Sequence, residues 1–419
     1  MEKLSKNFDN ILTLLLTFSL FFWDSNYLGI QFKFLILLLF IFVLRDYKEF
    51  IVKFINYKVI IFPLIFAHLY YNSDLDISFY QLKVFIFFVL ISFLLVFYKD
   101  NILLNFDRSI LLFNLFLVLT FIIYFFFNEN YENFFSLIDF FTKTKIIFVE
   151  NSHFGMISAS IIIYCLNEFL STRKKSYIVI FFIIMTLSYL NFSLTSFLGL
   201  LLSSLFLLLT NFLLLNKTQI FMFIFLIMLA TVSIYFNNKK AETITVIKST
   251  VMQEPAQKQN IHDQKPRFDL SVEVIKTSYK IMLHSIKEKP FGYGFNNYEK
   301  AFNEHINKIS FTDDGRIIQE IYASLKKLNN KDGSNNFVKV VTETGLFSII
   351  IIFLVSIFTF SKKIDLRYKL FIIPNFLVQT FIRGAGYFNG GYMIYLLLII
   401  LLVYGLRHNN KKKFNFNNL

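Results

Sequence analysis

The chain has 419 residues, 56% of them hydrophobic, with a mean hydropathy of +0.57 and a formal charge of +14. A soluble domain cannot hide that much apolar surface, so the composition excludes a soluble enzyme and points to a polytopic membrane protein. The charge does not imply nucleic acid, because its placement follows membrane topology.

Taken in chain order, apolar runs fall at about 8–23, 28–44, 59–71, 79–98, 109–127, 146–168, 177–191, 194–215, 218–236, 337–360, 370–386 and 388–406. The expectation is an all-α, polytopic membrane helical bundle of about twelve spans, with the first run retained as a helix rather than cleaved as a signal. Cationic residues in short loops gather on the cytoplasmic side of a membrane protein. Lys3, Arg45, Lys58, Lys99, Arg173, Lys174, Lys175, Lys217, Lys362, Lys363, Arg367 and Lys369 all fall on one side of this arrangement, and Lys411 to Lys413 join them. Both termini are therefore expected on the cytoplasmic side. The single Cys165 lies in an apolar run and excludes an internal disulfide.

Residues 1–236 thus read as spans one to nine, 337–406 as spans ten to twelve, and 407–419 as a basic tail. Between them, 237–336 forms a large periplasmic loop with 16 Lys or Arg against 12 Asp or Glu. Its stretch from Arg267 to Lys289 has the apolar spacing of an amphipathic helix (Leu270, Val274, Met282, Ile286) and stops at Pro290. "PFGYGFNNY" follows as a Gly-punctuated turn. A second helix is expected from Arg316 to Leu328.

The six histidines (His68, His153, His262, His284, His305, His408) show no ligand spacing, and no phosphate-cradling Gly loop occurs. No metal and no cofactor is expected, so any substrate arrives already activated. A basic loop beside the membrane suits a lipid-linked diphosphate, whose oxygens guanidinium groups bind bidentately. Arg267, Arg316 and Arg383 are the arginines so placed. Either His284 or His305, which lies near Glu299 and Glu304, is a candidate acid or base, and His153 a candidate cavity residue at a membrane mouth.

"HSIKEKPFGYGFNNYEKAF" at 284–302 and "NNFVKVVTETGLFSIIIIF" at 335–353 resemble two ordered landmarks of the O-antigen polymerase and O-antigen ligase family. Fainter likenesses lie at 150–164 and 191–203. The resemblance implies an integral-membrane glycosyltransferase, similar to the C-type glycosyltransferases, that joins undecaprenyl-diphosphate-linked glycans at the outer face of the inner membrane. It implies catalytic roles for Arg267, His284 and Arg383. Arg316, His153, Asn335, Glu343, Tyr293 and Tyr298 are implied as substrate contacts, with Thr342 and Glu343 facing sugars and the tyrosines stacking on them. Membrane lipids and a chain-length regulator are the other partners implied. Two marks of the ligases are absent. Ser334 stands where they carry a histidine, and Leu194, Thr195 and Ser196 stand where they carry an arginine. That favours a polymerase over a ligase. A lipid-linked sugar flippase and a structural membrane subunit are the readings outside this family.

Overall fold

The computed structural model describes residues 105–127, 151–190, 194–251, 270–294, 297–309, 330–331 and 333–384, with isolated positions at 11, 48 and between 392 and 403. The expected spans at 8–23, 28–44, 59–71 and 79–98, the helix at 316–328, Arg267 and Arg316 lie outside the described residues.

Every regular element among the described residues is helical. In chain order they are α1 (Phe106–Phe127), α2 (Asn151–Thr172), α3 (Lys175–Leu190), α4 (Leu194–Asn211), α5 (Lys217–Val251), α6 (Leu270–Glu288), α7 (Tyr298–His305), α8 (Asn336–Thr344), α9 (Ser348–Phe360) and α10 (Leu366–Leu377). Four stretches are long and apolar enough to cross a membrane: Phe154–Thr172, Leu194–Leu214, Lys217–Phe236 and Asn336–Phe360. The chain is a helical membrane protein.

α2 is the axis of the bundle. Residues 154 to 168 are buried without a break, because α3, α4 and α10 pack around the helix. Small side chains permit that enclosure: Ser158 donates to Ser196 Oγ across the α2–α4 contact at 2.8 Å. Ser196 is thus part of the packing. α5 packs on α4 and turns Phe221, Phe225 and Val232 outward, as α9 does Ile349, Ile352 and Phe353. Apolar faces turned outward fit a lipid environment.

Short connections make neighbouring helices antiparallel, so 173–174, 215–216 and 361–365 share one end of the bundle. The basic residues from Arg173 to Lys369 that the loop-charge rule assigned to one side do meet there. The opposite end carries the last turns of α3 and the first turns of α4 and α9.

Two boundaries differ from expectation. α5 continues fifteen residues beyond the expected end at 236, to Val251, because no Gly or Pro interrupts it before Pro255. The run at 337–360 is not one straight helix. α8 stops at Thr344, a 3-10 turn spans Gly345–Phe347, and α9 begins at Ser348.

Candidate functional site

The two landmark motifs, distant in sequence, are interlocked. Tyr293 N–H donates to Thr342 O at 3.0 Å, Gly294 N–H to Glu343 O at 2.9 Å, and Leu346 N–H to Pro290 O at 2.9 Å. The turn 290–294 therefore takes up carbonyls that the end of α8 would leave without partners. Two glycines make this approach possible. A Cβ on Gly292 would sit 2.2 Å from Glu343 O, and one on Gly345 would sit 2.0 Å from Pro290 O. Both have positive φ, at +85° and +54°, where a side chain is strained as well as crowded.

α8 is a short helix walled in by protein, with Asn336 and Val338 to Thr344 all buried. It packs against α6, α7 and the π-helical turn Val378–Ile382 that ends α10. Asn335 Oδ1 caps it by accepting from Val338 N–H at 3.0 Å. Ser334 holds a left-handed backbone, φ +66°, and is pinned from two directions. Its Oγ is 2.9 Å from Ser278 Oγ on α6, and its carbonyl accepts from Gly384 N–H at 3.2 Å. A non-glycine residue held in that region is a mark of a constrained, often functional, position.

Several expected substrate contacts have other work here. Glu343 is fully buried, and its Oε1 accepts from Tyr298 N–H at 3.0 Å. It caps the start of α7, where Asn297 gives no side-chain cap. Lys339 Nζ lies 3.6 Å from the same oxygen, buried one helical turn away. Glu343 therefore joins α8 to α7 rather than facing sugars. Tyr298 is fully buried with Ile281, Met282, Phe302, Ile306 and Val338, and Tyr293 is 2% exposed, so neither ring is open for stacking. On this turn the aromatic left open is Phe291, 57% exposed.

The polar atoms on α8's other contacts are not spent. Asn335 Nδ2, both amide atoms of Asn336 and Thr342 Oγ1 are buried without a hydrogen bond, as are both amide atoms of Gln379 in the π turn. Buried polar groups are nearly always paired, so a run of orphans marks a place where a ligand or water belongs. Asn336 lies against Gly384, whose Cβ position would be 2.5 Å from Asn336 Oδ1. Arg383, beside it, is half-buried and closes the π turn by donating N–H to Val378 O at 3.0 Å. On the face of α8 that carries Phe337, Val340 and Val341 lies an apolar cavity of about 150 Å³, lined also by Phe206, Ile351, Phe376 and Phe381; the unpartnered amides lie outside its lining.

His284 lies on α6 with its ring stacked on that of His305 at 6.0 Å. His305 is buried, and burial holds its imidazole below the ordinary histidine range. His153 lies in the first turn of α2, at the same end of the bundle. Asn336 and Gln379 were missed at the sequence level. Gln379 carried a legible signal, an amide inside the apolar run at 370–386, which membrane helices spare for function or packing.

Comparison with family models, with curated proteins and with solved structures returned no match to this chain.

Proposed function

We propose that this protein is a surface-polysaccharide polymerase of the O-antigen type. It would join undecaprenyl-diphosphate-linked oligosaccharide units at the periplasmic face of a bacterial inner membrane. One observation carries the reading: the buried helix α8 borders an apolar cavity with Phe337, Val340 and Val341, while its Asn335, Asn336 and Thr342, outside that lining, hold unspent polar atoms. Such a site suits an amphiphile, with an isoprenoid or acyl chain against Phe337 and Phe381 and hydroxyl-rich sugar against the amides.

In this reaction an acceptor hydroxyl attacks the anomeric carbon, and the lipid diphosphate leaves. Arg383, next in the chain to the Gly384 that lies against Asn336, would meet the developing charge on that diphosphate. Arg267 and Arg316 would act with it from the loop. Ser334 is too weak a base to replace an imidazole at neutral pH, so deprotonation of the acceptor falls to another group, His284 being the residue proposed for it.

The test is the lipopolysaccharide gel profile of a strain lacking this gene, beside a complemented control. Collapse of the ladder to core plus one repeat is the expected result. Bare core with polymerised glycan held on its lipid carrier would identify a ligase instead. A ladder and surface glycans unchanged by the deletion would overturn the proposal and favour a transporter of lipid-linked sugar.

A further inference from the structure

A second cluster of chemistry-bearing side chains lies where α6 and α7 end, next to His284, whose ring stacks on that of His305 at 6.0 Å. Glu288 ends α6, while Glu304 and His305 end α7. Their ligand atoms all lie within 4.8 Å of one another. Sixteen residues separate Glu288 from Glu304, so no sequence motif announces the group.

The hydrogen bonds fix which histidine nitrogen carries the proton. Tyr293 Oη is 2.7 Å from Glu304 Oε2 and 2.7 Å from His305 Nε2. An ionised carboxylate only accepts, so the phenol donates its proton to Glu304. The tyrosine oxygen must then accept from His305 Nε2–H, which leaves the lone pair of the neutral ring on Nδ1. That atom is fully buried and has no hydrogen-bond partner. What faces it is Glu288 Oε1, at 3.9 Å. A lone pair on a buried nitrogen turned toward the half-exposed Glu288 carboxylate calls for a cation between them.

We propose that Glu288, Glu304 and His305 form a binding site for a divalent transition-metal ion, taken through His305 Nδ1 and one oxygen of each glutamate. Metal bonds of about 2.0–2.2 Å to nitrogen and oxygen place two ligands on one ion up to roughly 4 Å apart. The present 3.9 Å gap already meets that limit. Both glutamates are exposed, and a small swing of each closes the rest. One imidazole with two carboxylates suits zinc or manganese better than calcium or magnesium, which favour oxygen alone. The Tyr293–Glu304 bond orients the imidazole, as carboxylate partners do for metal-binding histidines elsewhere. Lys308 Nζ, 2.8 Å from Glu288 Oε1, is the competitor: the ammonium must swing away when the ion enters. The ion would pin the ends of α6 and α7 beneath the turn that holds α8, a role independent of which reaction the neighbouring site performs.

The experiment uses the full chain purified in detergent, with zinc binding read by equilibrium titration, metal content and the shift in thermal unfolding. Wild type should take up one high-affinity zinc and unfold at a higher temperature with it. Glu288→Gln, at a half-exposed side chain that folding tolerates, should weaken binding by roughly tenfold or more. Lys308→Met should tighten it, because Glu288 is then uncontested. That opposite sign is the discriminating result, since a plain surface ion pair would only lose stability in both variants. Absence of zinc uptake by wild type, or equal uptake by wild type and both variants, would overturn the site.

Discussion

The two ends of the bundle treat their buried polar groups in opposite ways. At the end that gathers the basic loops, polar groups find one another across helices, although Arg367 Nε keeps no hydrogen bond. Arg367 Nη2 meets Asp107 Oδ2 at 3.0 Å, and Tyr164 bonds the same carboxylate. Gln219 Nε2 donates to Asn167 Oδ1 at 2.8 Å. Lys369, 1% exposed, donates to Asn211 Oδ1 at 3.2 Å and to Thr359 O at 2.9 Å. These bonds tie α1, α2, α4, α5, α9 and α10 together. At the other end, Asn335, Asn336, Thr342 and Gln379 are buried just as deeply and keep atoms without partners. A satisfied network fixes a structure, whereas orphaned groups destabilise it and persist where something else completes them. The proposed function rests on this difference, with architecture at the first end and ligand binding at the second.

The interlock at the second end is the first place to press. Gly345→Ala adds a Cβ 2.0 Å from Pro290 O at positive φ, and should cost on the order of 3 kcal/mol. Thermal unfolding in detergent and protease cleavage within 290–294 should both report it, together with loss of the polysaccharide ladder. Next, Lys369→Met at the first end removes two hydrogen bonds from a buried ammonium and should cost about 2 kcal/mol. The ladder should survive in proportion to the folded protein present. If the ladder fails while the protein stays folded, the first end is not merely architectural.

Asn335→Ala should cost about 1 kcal/mol, the worth of a helix cap. Asn335→Asp should restore the stability by capping α8 again, yet leave the ladder defective, because Nδ2 is gone. The smallest stability effect is expected from Gln379→Leu. Removing an orphaned amide of similar volume should leave unfolding within about 1 kcal/mol of wild type or raise it. Chain extension should nevertheless fall sharply. Normal extension in Gln379→Leu would remove the π turn from the site and weaken the contrast between the ends.

Much of the membrane architecture was legible in the sequence, because hydropathy reports burial in lipid directly. The helices at 109–127, 177–191 and 194–215 fall close to their apolar runs, and the amphipathic helix before Pro290 spans Leu270–Glu288. The two motifs at 284–302 and 335–353 were likewise visible as constrained stretches. What each side chain in them does was not. Glu343, Tyr293 and Tyr298 carry the residue types of a sugar site, and the fold spends all three on holding α7 and α8 together.

The sequence by itself determined that this chain crosses a membrane, which ends of its helices carry the basic loops, and that Gly292 and Gly345 punctuate the two motifs. Those properties are local: apolar run length, loop charge and backbone freedom are written residue by residue. Only the tertiary structure decided that the two glycines serve a single contact and that Glu343 is a cap. It also decided that Asn336 and Gln379 are left without partners, and that Glu288, Glu304 and His305 share one small space. A side chain's partners depend on which helices meet, and contacts between residues far apart in the chain leave no periodic trace in it.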